Sequence, residues 1–161
     1  MHTAHWFAAG LTAALFTTAV AIAAPGGAGH HHGEMGPGKA GDTSTASRVI
    51  PITLTDRDDG AMRFFPERVE VRTGEQVRFV LRNSGKVEHE FVLDTPANNA
   101  AHKQAMMADP AMAHDDPNAR RLAASASGEI VWQFTAPGEY EYACLIPGHY
   151  EAGMRGTVVV R

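Results

Sequence analysis

Three residues with metal-binding side chains, Cys144, His149 and Met154, stand at intervals of five in the segment YACLIPGHYEAGM. Cys144 is the only cysteine of the chain. A lone thiol in an oxidising compartment is intermolecular, reactive or occupied, and a metal would occupy it. Thiolate, imidazole and thioether together lack one nitrogen of the trigonal two-histidine, one-cysteine site with a weak axial methionine that defines blue-copper electron-transfer centres. Cu(I) prefers soft sulfur and Cu(II) favours nitrogen, so such a donor set compromises between them and limits rearrangement when one electron moves. Zinc is the competing metal, but it rarely takes a thioether, and a structural zinc site wants four Cys or His ligands.

These donors need elements to bring them together. Fully extended, the ten residues from Cys144 to Met154 would span ~33 Å, so the segment must fold into a loop, for which Pro147, Gly148 and Gly153 are suited. Before it, EYEYACL reads as a strand bearing Tyr140, Tyr142 and Cys144 on one face. The missing nitrogen has a natural source in KVEHEFVLD, where Val87, His89, Phe91 and Leu93 share one strand face and Glu88 and Glu90 take the other. A histidine on an apolar face is ordinarily a satisfied core residue; the C-terminal donors favour reading His89 as a ligand.

The remaining chain supplies the scaffold. RVIPITL, ERVEVRT, QVRFVLRN, GEIVWQFTA and MRGTVVVR also read as short strands, with Val49 out of step with Ile50, Ile52 and Leu54. Residues 95–127 lack β-branched runs apart from their first residue and carry Pro96, Pro110 and Pro117, so one or two short helices are expected in an insertion. Seven or eight strands over residues 48–161 suggest an all-β, antiparallel Greek-key β-sandwich with a partly helical insertion. Residues 24–47, PGGAGHHHGEMGPGKAGDTSTAS after Ala24, hold almost no bulky aliphatic side chain and read as a flexible Gly/His-rich tail. Residues 1–23 read as an export signal ending in the small-x-small pattern Ala21-Ile22-Ala23, with an uncleaved anchor as the competing reading. The net charge of −4 over 161 residues gives no basic footprint for nucleic acid.

VEHEFVLD followed by APGEYEYACLIPGHYEAGMRGTVVV resembles the plastocyanin/azurin class of cupredoxins, and the whole chain is similar to exported cupredoxins associated with bacterial copper tolerance. The resemblance implies one type 1 (blue) copper per chain, with His89, Cys144 and His149 as strong equatorial ligands and Met154 as the axial one. Many members of the class have Asn directly after the first ligand histidine, where it helps tie the two ligand loops together. Glu90 stands there instead, which puts the hydrogen bonding around the ligands in question.

Ala143 and Leu145 flank the cysteine where multicopper oxidases resemble one another in carrying histidines, and the binuclear electron-entry centre of terminal oxidases requires two cysteines where this chain has one. No nucleophile triad or phosphate-binding loop appears in a credible context. The expectation is a mononuclear, non-enzymatic site that exchanges electrons through the edge of His149, with Leu145, Ile146, Pro147 and Tyr150 as an apolar docking rim. Two further clusters, HHHGEM (His30, His31, His32, Met35) and HKQAMMADPAMAH (His102, Met106, Met107, Met112, His114), offer secondary, weakly bound copper. The expected protein is a periplasmic monomer, free of the membrane after signal cleavage. It would serve copper tolerance, or else carry electrons to a redox partner such as a c-type cytochrome or copper-handling protein.

Overall fold

The computed structural model describes residues 36–45, 47–112 and 116–161. The leader, the His30–Met35 cluster and His114 lie outside the described residues. The rest forms two five-stranded sheets packed face to face. In chain order the elements are β1 (Lys39–Ala40), β2 (Arg48–Asp56), β3 (Met62–Phe65), β4 (Arg68–Val71), β5 (Gln76–Asn83), β6 (His89–Asp94), α1 (Pro96–Ala108), β7 (Ala119–Leu122), β8 (Ser127–Gln133), β9 (Gly138–Ala143) and β10 (Arg155–Val160). One sheet runs β1-β8-β5-β2-β3 and the other β4-β10-β9-β6-β7. The all-β sandwich expected from the sequence is present.

The alternation visible in the sequence sorts side chains between core and surface. Ile50, Ile52 and Leu54 are buried while Val49 is exposed, and Val69, Val71, Val77, Phe79 and Leu81 follow the same rule. From the facing sheet, Phe91 and Tyr142 stack with centroids 5.3 Å apart, and Phe64 meets both rings edge-on. This aromatic layer is the floor on which the metal-binding loops rest; Cys144 and Met154 belong to the same buried cluster.

Four features differ from the sequence expectation. The sheets are mixed rather than antiparallel, because the sheet-switching connections bring β5 alongside β2 and β10 alongside β4 running the same way. Part of the tail is ordered: β1 pairs with β8, and the Gly41 and Asp42 N–H groups donate to Val131 O and Gln76 Oε1, both at 2.8 Å. Main-chain bonding to a sheet edge secures this segment, where the sequence offers few apolar side chains to bury. The described residues of 95–127 contain one helix and, beyond expectation, the edge strand β7, which pairs with β6. Finally, Val87 precedes β6 and is exposed, so it does not share the core face with His89.

Helix α1 starts where its sequence dictates, with Thr95 Oγ1 accepting the Asn98 N–H at 3.1 Å and Pro96 in the first turn. It contributes Met106 to a second buried cluster with Val92, Ala119, Ala143 and Leu145, so β6 and β9 are covered on both faces. All six residues of β6 are buried in consequence.

Candidate metal centre

Four element ends meet at one end of the sandwich: His89 opens β6, Cys144 follows β9, Met154 precedes β10 and Asp56 closes β2. The Cys144 N–H donates to Met154 O at 3.1 Å, which closes the segment between them into the required loop. Inside it the His149 N–H donates to Ile146 O and the Met154 N–H to His149 O. Gly148 and Gly153 take φ of +88° and +100°, backbone that favours glycine. Arg63, from β3, braces the far end of the loop by donating to Met62 O, Ala152 O and Gly153 O at 3.2–3.4 Å.

The loop aims its donors at His89. His149 Nδ1 lies 3.3 Å from both His89 Nδ1 and Cys144 Sγ, and the three ligand atoms all fall within 4.8 Å of one another. Cys144 and His89 are fully buried and His149 half-buried, so His149 alone of the three presents an edge outward. Met154 is fully buried directly after the turn.

Burial sets the protonation of the donors. Burial pushes the Cys144 thiol up to about 12, and the 3.4 Å bond from the Glu90 N–H to Sγ only partly offsets this. A metal ion at the sulfur reverses that balance, because a coordinating thiol gives up its proton. Burial, and then repulsion by His89, lowers the His149 pKa, with Asp56 opposing; the neutral imidazole so favoured is the form that ligates. Two imidazole nitrogens facing a thiol sulfur that itself receives an N–H bond make a donor set suited to copper, and His89, Cys144 and His149 would hold the ion, which when bound supplies a one-electron redox couple.

The residues around the ligands answer the question raised by Glu90. This side chain is buried, because α1 packs over its face of β6 and β7 pairs alongside. Its Oε1 accepts the Leu145 N–H at 2.8 Å, and its Oε2 lies 3.6 Å from the Arg121 guanidinium of β7. Glu90 therefore ties the two ligand segments together as a carboxylate. Next to Glu90, His89 Nε2 lies 3.1 Å from Asp56 Oδ1, a partner that no spacing in the sequence indicates.

The expected docking rim is corrected at one position. Leu145 is fully buried beneath α1, because its side chain points away from Cys144; Ile146 and Tyr150 are half-buried and Pro147 is exposed. The methionines of the insertion are divided between environments. Met106 is fully buried and Met112 packs against the same cluster, whereas Met107 is 63% exposed and lines a groove of about 360 Å³ with Lys103, Pro147, Gly148 and Glu151. His102, on α1, is half-buried.

Comparison with known proteins agrees with this geometry. Residues 52–161 match the model of the copper binding proteins of the plastocyanin/azurin family. The chain is 53% identical over 156 residues to the copper-resistant cuproprotein CopI of Rubrivivax gelatinosus, covering 92% of each. It is 37% identical over 180 residues to CopI of Pseudomonas aeruginosa, covering 94% of this chain and 96% of that one. Among solved structures, auracyanin B aligns with a TM-score of 0.61 and 27% identity over 78% of this chain and 97% of its own. From its sandwich, its converging ligands and these relationships, the chain belongs to the plastocyanin/azurin family of copper-binding proteins.

Proposed function

We propose that this protein is an exported type 1 copper protein that changes oxidation state by one electron and serves copper tolerance in the periplasm. The observation that carries the reading is the convergence of His89 Nδ1, Cys144 Sγ and His149 Nδ1, with Met154 buried at the end of the same loop as the axial donor. The tolerance role is supported by the relatives named copper-resistant cuproprotein, and the export by the leader read from residues 1–23. Ala143 and Leu145 beside Cys144, in place of histidines, support one closed mononuclear site without catalysis of its own.

A second reading, a mobile electron carrier, is favoured by the half-exposed edge of His149 beside exposed Pro147. An electron would pass through that imidazole to a docked redox protein, a c-type cytochrome or a copper-handling partner, with the carrier acting as a monomer.

The test is direct. Mature protein titrated with Cu(II) develops intense thiolate-to-copper absorption, and Cys144→Ser abolishes it; a colourless parent refutes the site. Binding beyond one copper per chain, lost on deleting residues 24–47 or replacing Met107, favours tolerance by sequestration over electron carriage.

A further inference from the structure

The Asp56 carboxylate is the least expected group beside the ligands. It comes from the sheet opposite His89, its side chain is only 14% exposed, and Oδ1 receives both the Lys86 N–H at 2.7 Å and a contact with His89 Nε2 at 3.1 Å. The His89 ring presents Nδ1 to His149 and Cys144, so Nε2 is its outward nitrogen. An ionised carboxylate only accepts hydrogen bonds. Beside it, a ligating His89 ring would carry its hydrogen on Nε2 and its lone pair on Nδ1, the atom that faces the other donors.

Two further observations make this a built arrangement. A Cβ at Gly85 would collide with Asp56 Oδ1 and lie 2.9 Å from His89 Nε2, so the backbone passes the pair as closely as glycine allows. The nearby cation Lys86 is engaged elsewhere, its Nζ pairing with Asp58 Oδ1 at 2.7 Å, so His89 is the side chain that Asp56 meets.

We infer that Asp56 is a positioning residue for the copper centre: through His89 Nε2 it fixes the ligating tautomer, and its negative charge favours Cu(II) over Cu(I). The inference rests on copper being held by His89, Cys144 and His149. With the Cys144 thiolate and Asp56 both ionised, the two negative charges balance Cu(II) and leave an excess with Cu(I), and beside the buried His89 and Cys144 water screens that excess less than at an open surface. Asp56 therefore lowers the reduction potential and tightens Cu(II) binding relative to Cu(I).

Asp56→Asn and Asp56→Ala in the mature protein test this, with Cu(II) and Cu(I) affinities measured separately by competition with chelators, and the potential by redox titration. Asp56→Asn retains an acceptor for Lys86 and His89 while removing the charge. It is expected to raise the potential and weaken Cu(II) binding by about 10-fold to 100-fold, with Cu(I) binding changed less. Asp56→Ala is expected to weaken both and alter the Cu(II) electron paramagnetic resonance spectrum. If Asp56→Ala fails to fold, the asparagine variant alone decides. A parent that loads copper normally, together with an Asp56→Asn variant of unchanged potential and unchanged Cu(II)-to-Cu(I) affinity ratio, overturns the role of Asp56 while leaving the copper site intact. A parent that takes up no copper overturns both.

Discussion

The Glu90 carboxylate accepts the Leu145 N–H at 2.8 Å, fastening the strand that begins with His89 to the loop that begins with Cys144. The bond is buried on both sides, so removing the acceptor leaves a main-chain donor without water. Glu90→Ala is expected to lower stability by about 1–3 kcal/mol, and Glu90→Gln, which keeps an acceptor, by less. Urea denaturation of the two variants against the parent measures the difference; equal losses would show that the charge opposite Arg121 matters more than the loop bond.

The far end of the loop depends on Gly153. Its φ of +100° is strained for other residues, and a Cβ there would strike the Arg63 guanidinium. Gly153→Ala is expected to cost about 1–3 kcal/mol and to speed copper loss, because the Arg63 brace and the turn before Met154 are displaced together. Stopped-flow transfer of copper to a chelator reads the rate, and a variant that releases copper as slowly as the parent contradicts the bracing role.

The insertion methionines separate packing from metal binding. Met106→Ala removes a fully buried side chain from the cluster beneath Leu145 and is expected to destabilise by about 2–5 kcal/mol without changing copper stoichiometry. Met107→Ala, on the exposed side of α1, is expected to leave stability within about 0.5 kcal/mol. Thermal melts and metal analysis of both variants distinguish the two roles.

Alkaline pH tests the buried thiol. In the fold Cys144 is raised from 9.0 to about 12. Its neutral form therefore stabilises the copper-free protein fully below pH 9.0, and that contribution is lost as pH climbs toward 12. Between about pH 8 and about pH 11, copper-free parent should lose on the order of 2 kcal/mol more than Cys144→Ser, whose hydroxyl does not titrate there. Denaturation curves at the two pH values give the comparison, and parallel losses would show that the thiol is not buried as described.

What the sequence disclosed, and what it concealed, divides along the range of the interactions. The spacing of Cys144, His149 and Met154 is local, and the alternation of Ile50, Ile52 and Leu54 is a property of one strand, so both were legible. Glu90 alternates like a surface charge, and only the packing of α1 over its face, with β7 alongside, makes it a buried tie between loops. Leu145 misleads for the same reason, an apolar residue beside a ligand being as suited to the core as to a docking rim. Asp56 meets His89 across the sandwich, 33 positions away in the chain, and its only trace in the sequence is Gly85, which lets the two approach.

The contact between Asp56 and His89 joins the last residue of β2 in one sheet to the first residue of β6 in the other. Whatever holds the His89 ring still therefore works as a clasp on the open end of the sandwich. Amide hydrogen exchange should register it: with copper bound, protection is expected to rise at the end of β2 and through residues 83–88 as well as in the loop from Cys144 to Met154. Occupancy of one small centre would then be written into the breathing of both sheets.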